Sequence, residues 1–153
     1  MNSNEINLIA SQLKIPNFCG VFGLDELKQI HKQRNGLIIF NTQPTTLPGQ
    51  DWIALCITTE DIFYFDSLNS GFHSNDSVAK FLIKMNRNLI FNNIKIQSNT
   101  SNLCGVHCLV FCHIMSQNNT MSMFQSFMTR ISNVNVFKRE QLSFLYFNLS
   151  NMK

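Results

Sequence analysis

Charge is scarce in this chain. Asp, Glu, Lys and Arg make up 14% of its 153 residues, against 44% hydrophobic, and the net charge is +3. So mild a balance admits an acidic partner without requiring one. No apolar run approaches eighteen residues, which excludes a membrane-spanning helix. No signal-peptide pattern opens the chain, no repeat recurs, and no linker of biased composition divides it. A single domain over residues 1–153 is therefore expected, monomeric and in a reducing, intracellular compartment. What is abundant is phenylalanine: fourteen residues supply apolar side chains for a sizeable core and argue against disorder. Asn and Ser do much of the solvating that charge does elsewhere.

Five cysteines leave at least one unpaired. Cys104, Cys108 and Cys112 lie four apart, along one face of a helix, and cannot all pair with each other. Cys108 and Cys112 read as packing residues on an apolar helix. Together with His107 and His113 these thiols bring a metal to mind. Helical spacing splits the five between faces, however, and no second ligand pair occurs, so no metal is expected.

The pattern of elements is that of an α+β domain with a small central mixed sheet. Ile6, Ile9 and Leu13 share one face of an opening helix, with Ser3 as its cap and Pro16 beyond its end. Phe18 to Gly23 reads as an apolar connector, and Asp25 to Lys32 as a short helix. Leu37 to Phe40 is of strand type, and Pro44, Pro48 and Gly49 mark a loop from Asn41 to Gln50. Trp52 to Thr58 and Ile62 to Asp66, joined by Thr59-Glu60-Asp61, form a hairpin. Both runs are apolar at nearly every position, so the hairpin belongs in the middle of a covered sheet. Ser74 or Asn75 is placed to cap a helix carrying Val78, Phe81, Leu82, Met85 and Leu89. Asn92 to Gln97 is expected as a strand. An apolar helix runs from Cys104 to about Ser116, and two more helical patterns follow, near 121–130 and 136–148.

Chemistry concentrates at Ser101-Asn102-Leu103-Cys104-Gly105-Val106-His107-Cys108. A polar loop delivers a cysteine to the start of an apolar helix. There the positive end of the helix dipole and the open backbone N–H groups favour the thiolate. Gly105 lets backbone or substrate come close, and the same N–H groups suit a developing oxyanion. Gln97, at the end of the expected strand and seven positions before Cys104, offers a side-chain amide to complete that hole.

Gln97 and, after six residues, Cys104-Gly105 resemble the signature of the adenain (adenovirus proteinase) family of cysteine endopeptidases. Their fold is shared with the proteases of ubiquitin-like proteins and is papain-like. Gln50-Asp51-Trp52-Ile53-Ala54-Leu55 resembles the family's strand that opens on the catalytic His followed by Trp. Tyr64-Phe65-Asp66-Ser67-Leu68 resembles the strand whose terminal acid orients that His. The opening helix with Phe18 to Gly23, and Arg139-Glu140-Gln141-Leu142 near the end, resemble the two ends of the viral enzyme. The resemblance implies Cys104 as nucleophile, Gln97 as oxyanion donor, Asp66 as third member, and Trp52 and Gly105 lining the site. It also implies a protein or peptide substrate, a viral or mobile-element precursor processed in virion maturation, in the host nucleus or the virion.

The departure is at the base. Asp51 stands at the His position, and a carboxylate cannot form a thiolate–imidazolium pair. Its negative charge raises the thiol pKa instead. Losing the base costs roughly 10³–10⁶-fold in rate. His107, three residues beyond Cys104, is a substitute candidate, because helical side chains lean toward the N-terminus. His73 is a second candidate without positional support, and His31 and His113 read as ordinary residues. Three functions therefore compete: an impaired endopeptidase, a pseudoprotease that binds peptide, capsid protein or DNA, and a relative of the ubiquitin-like-protein proteases.

Lys80, Lys84 and Arg87 form a basic stripe (i, i+4, i+7), either a solvated face or a phosphate contact. By resemblance DNA or an activating peptide would act as cofactor. The family tethers that peptide through a cysteine ahead of the oxyanion Gln, and this chain has no cysteine between Cys56 and Gln97.

Overall fold

The computed structural model describes residues 1–47, 50–70, 76–118, 120–136, 138, 139 and 141. It is a three-layer α+β domain around a five-stranded mixed sheet. The strands are β1 (Phe18–Phe22), β2 (Gly36–Asn41), β3 (Trp52–Ile57), β4 (Asp61–Phe65) and β5 (Asn88–Phe91), in spatial order 1-2-3-4-5. The pairs β2/β3 and β3/β4 are antiparallel, and the outer pairs β1/β2 and β4/β5 are parallel. The helices are α1 (Ser3–Gln12), α2 (Asp76–Met85), α3 (Cys104–Gln117) and α4 (Met121–Ser132), with a 3-10 turn at Leu24–Gln29.

Side chains alternate between the faces of a strand. Leu37, Ile39, Trp52, Ala54, Cys56, Phe63 and Phe65 pack with α1, α3 and α4. Ile38, Phe40, Ile53, Leu55, Ile57, Ile62 and Tyr64 pack with α2 and the 3-10 turn. Because both faces are covered, the hairpin strands are apolar throughout rather than alternating, as expected. Helix α3 is apolar almost all round for the same reason, buried from Cys104 to Cys112. Phe111 stacks on Phe65 at 4.7 Å between ring centroids.

Several local expectations are corrected. The cap of α1 is Asn2, not Ser3: Glu5 N–H donates to Asn2 Oδ1 (3.0 Å) and Asn2 N–H to Glu5 Oε2 (2.7 Å), a reciprocal capping box. Phe18 to Phe22 is a strand rather than a connector, because β2 supplies it with parallel partners distant in sequence. The last strand is Asn88–Phe91, not Asn92 to Gln97. Helix α2 stops at Met85, Asn86 turns through a left-handed φ of 50°, and Leu89 faces the sheet from β5 rather than from the helix. Ser74 and Asn75, and most of the expected helix over 136–148, lie outside the described residues.

Candidate active site

Strand β3 is longer than its partner β4: their pairing begins at Ala54 and Phe65, so Trp52 extends past it. The first turn of α3 docks on this overhang. Cys108 Sγ donates to Trp52 O at 3.2 Å, and Cys104 Sγ lies 3.9 Å from Gln50 O. The Trp52 and Gly105 backbone N–H groups both act on the Cys104 sulfur. Gln50 and Trp52 thus bracket the thiol, and Asp51 between them is close enough for its charge to act on it.

Burial is the largest influence on that thiol, which is only 6% exposed, and it raises the pKa above the ordinary value. The two backbone N–H groups oppose this, the Asp51 charge reinforces it, and the net shift is upward. At this thiol burial outweighs the backbone N–H groups that the helix N-terminus and β3 supply. The space over Gly105 is filled: a Cβ added there would lie 3.0 Å from the Met1 sulfur and 3.4 Å from both Ile6 Cδ1 and Trp52 Cδ1. The Trp52 indole N–H donates to Met1 O at 3.2 Å.

The Asp66 carboxylate is occupied by its own turn. It accepts from Leu68 N–H (2.9 Å), Ser70 N–H (2.9 Å) and Ser70 Oγ (2.7 Å). Its main chain is clamped by Asn92, whose Oδ1 takes the Asp66 N–H (2.8 Å) and whose Nδ2 donates to Asp66 O (2.7 Å). Gln97, 2% exposed, lies in the loop after β5 and reaches the approach to Cys104 by donating from Nε2 to Ser101 O at 2.7 Å. Arg139 steadies this loop from the other side, donating to Lys95 O, to Ile131 O (2.9 Å) and to Val134 O (2.6 Å).

The histidines take different places. His107 is interior, 1% exposed, on the first turn of α3. His113 is partly buried, and burial lowers its pKa. His31 accepts the Gln33 N–H at 3.2 Å in the loop before β2, and His73 lies outside the described residues. Among the described residues no group of three His, Cys, Asp or Glu side chains is arranged to hold a metal.

The basic stripe is partly structural. Lys84 Nζ donates to Lys28 O (3.1 Å) and Ile30 O (2.7 Å). Arg87 donates to Arg34 O, Lys32 O, Asn35 Oδ1 and Thr58 O. Both cations staple the loop before β2 to the end of α2. Arg87→Ala is expected to lower the unfolding free energy by roughly 1–3 kcal/mol, and Lys80→Ala, at an exposed position, to change it by about 0.5 kcal/mol at most. Denaturant melts check this, and equal losses for the two would contradict the staple.

Reasoning from sequence missed Ser67, Ser70, Asn92 and Ser101. No local pattern marks them, since each acts through a partner brought by the fold. Asn41, opposite Trp52 in the register, was missed as well. It is buried, its Oδ1 accepts the Gln43 N–H (2.8 Å), and its Nδ2 has no hydrogen-bond partner among the described residues.

No protein-family model matches this chain, and no characterised protein matches it by sequence. Its fold is that of known cysteine proteases. An ASFV protease superposes with a TM-score of 0.54 at 17% identity, over 80% of this chain and 60% of that one. This chain thus spans less than two thirds of that protease. The SUMO protease Ulp1, with its catalytic cysteine oxidised to a sulfenic acid, superposes with a TM-score of 0.53 at 14% identity, over 99% and 77%. The sulfinic form of Ulp1 gives 0.51 at 14% identity, over 99% and 78%.

Proposed function

We propose that this chain is an adenain-like cysteine endopeptidase homologue whose peptidase activity is strongly impaired. Cys104 takes the nucleophile position, Gln97 the oxyanion donor, Asp66 the third member and Asp51 the place of the base. One observation carries the reading: Asp51 sits between Gln50 and Trp52, the two residues that bracket the Cys104 sulfur. A carboxylate is too weak a base to take the thiol proton, and at neutral pH it carries no proton to give a leaving amine. It also disfavours the anion it would need to create. The family's route through a thiolate, a tetrahedral oxyanion and an acyl-enzyme is then blocked at its first proton transfer. The substrate would be a structural precursor of a virus or mobile element.

The second reading is a pseudoprotease that binds a peptide, capsid protein or DNA without cutting. The Asp66 carboxylate favours it, because among the described residues it accepts from Leu68 and Ser70 and not from an imidazole. Iodoacetamide labelling resolved by peptide mass spectrometry tests the chemistry. Cys104 is expected to label slowly at pH 7 and faster as pH rises past the ordinary thiol pKa of about 8.5. Rapid labelling at pH 6 would mean a paired thiolate and an active enzyme. A relative of the ubiquitin-like-protein proteases would instead form a covalent adduct with an activated modifier C-terminus. Failure with several modifiers removes that option.

A further inference from the structure

An oxyanion donor works only if its amide faces the right way. Rotated by half a turn, Gln97 would present Oε1 to the developing negative charge and repel it. The surroundings of Gln97 fix the orientation without ambiguity. A backbone carbonyl can only accept, so the atom 2.7 Å from Ser101 O is Nε2. The opposite atom is then Oε1, and Ser67 Oγ, 2.8 Å away, donates to it. Ser67 is fully buried, and its carbonyl also accepts from Ile96 N–H (2.8 Å) and Gln97 N–H (2.9 Å). It therefore holds the main chain and the side chain of Gln97 at once.

We propose that Ser67 is the positioning residue for Gln97. Its hydroxyl keeps Oε1 turned away, so that one Nε2 N–H anchors on Ser101 and the other is left for an oxyanion at Cys104. Asp66 belongs to the same device. Its carboxylate shapes the turn through Leu68 and Ser70, and this turn and the Asn92 clamp place Ser67. The acid at the third position acts here on the oxyanion side of the site, through Ser67, rather than on a base. The inference rests on the reading of Gln97 as the oxyanion donor.

Two experiments separate the positioning from the catalysis. The first is hydrogen exchange of the Gln97 side-chain amide by ¹⁵N NMR, its signals assigned by their loss in Gln97→Ala. In the unmodified protein those protons should exchange about 100-fold slower than in a free side chain, and Ser67→Ala should speed them roughly tenfold. The backbone amides of β3 should keep their protection. Free-amide exchange in the unmodified protein, or no response to Ser67→Ala in a folded variant, would overturn the proposal. If Ser67→Ala does not fold, the unmodified protein alone decides.

The second experiment uses Asp51→His protein and a peptide ester. Gln97→Ala should lower turnover roughly 10²–10³-fold and Ser67→Ala about tenfold. The double variant should be no worse than Gln97→Ala alone, and iodoacetamide labelling of Cys104, which needs no oxyanion hole, should not change. Additive losses would make Ser67 a structural residue only. Absence of any turnover in Asp51→His protein would count against the catalytic reading, while the exchange result would still decide the positioning.

Discussion

Asp51→His should move the labelling of Cys104 from an alkaline to a near-neutral pH dependence. The new imidazole would stand between the residues that already hold the sulfur, Gln50 and Trp52. Thiolates paired with an imidazolium have pKa values of roughly 3.5–7.5, against about 8.5 for a free thiol. A fall of about two units multiplies the thiolate fraction at pH 6.5 about 50-fold, and weaker intrinsic nucleophilicity takes back about tenfold. The net gain is about fivefold in labelling rate. It should be larger because burial, reinforced by the Asp51 charge, raises the native thiol above its ordinary value. Recovery of peptidase activity should lag behind thiol reactivity, because the Asp66 carboxylate is bound to Leu68 and Ser70 and does not orient the new ring. Asp51→Asn is the control: removing the charge alone should raise reactivity modestly and leave the profile alkaline. Identical profiles for the His and Asn variants would show that no imidazole at position 51 reaches the sulfur.

The second large effect is loss of stability in alkali. Burial pushes the Cys56 thiol from 9.0 up to about 12. Cys108 and Cys112 are also raised well above 9.0, chiefly by burial. Below 9.0 these thiols are protonated in both the folded and the unfolded chain, so their contribution is fully present. Above it the unfolded chain releases protons that the folded chain retains, and stability falls as pH rises, for Cys56 until about 12. Each group contributes up to about 1.4 kcal/mol per pH unit, so three together approach roughly 4 kcal/mol per unit. Against an ordinary stability of about 5–15 kcal/mol, a fall of that slope is large within the first unit or two above the onset. Trp52 is the only tryptophan and sits at the site, so its fluorescence in urea melts between pH 8 and 11 follows the transition. Cys56→Val should make the fall shallower by about a third. A flat profile over that range would mean that these thiols are not held protonated by the core.

How far the sequence could be read depends on the range of the interaction. The hairpin of β3 and β4, the buried helix from Cys104 and the opening helix were legible because each writes its burial into a local apolar pattern. The edge strands were not. Phe18 to Phe22 passed for a connector, and the strand at Asn88 to Phe91 was expected instead at Asn92 to Gln97, after a helix carried on to Leu89. Their hydrogen bonds run to distant parallel neighbours that no local window contains. For the site, the order of Asp51, Trp52, Asp66, Gln97 and Cys104 was visible in the chain, but the partners that decide what each can do were not. Lys84 and Arg87 show the same limit, since a stripe of cations on a helix gives no sign of the carbonyls folded beneath it.

What the residues alone determined is an apolar sheet covered on both faces, a thiol at the mouth of a buried helix, and a carboxylate, Asp51, just ahead of Trp52. Only the tertiary structure decided that the Cys104 thiol is pushed up rather than down, that the Asp66 carboxylate spends its lone pairs on a turn, and that Ser67 turns the Gln97 amide. The physical reason is that a protonation state and an amide orientation are set by the few groups within hydrogen-bond distance. Those groups arrive from segments far apart in the chain, which meet only when the core closes.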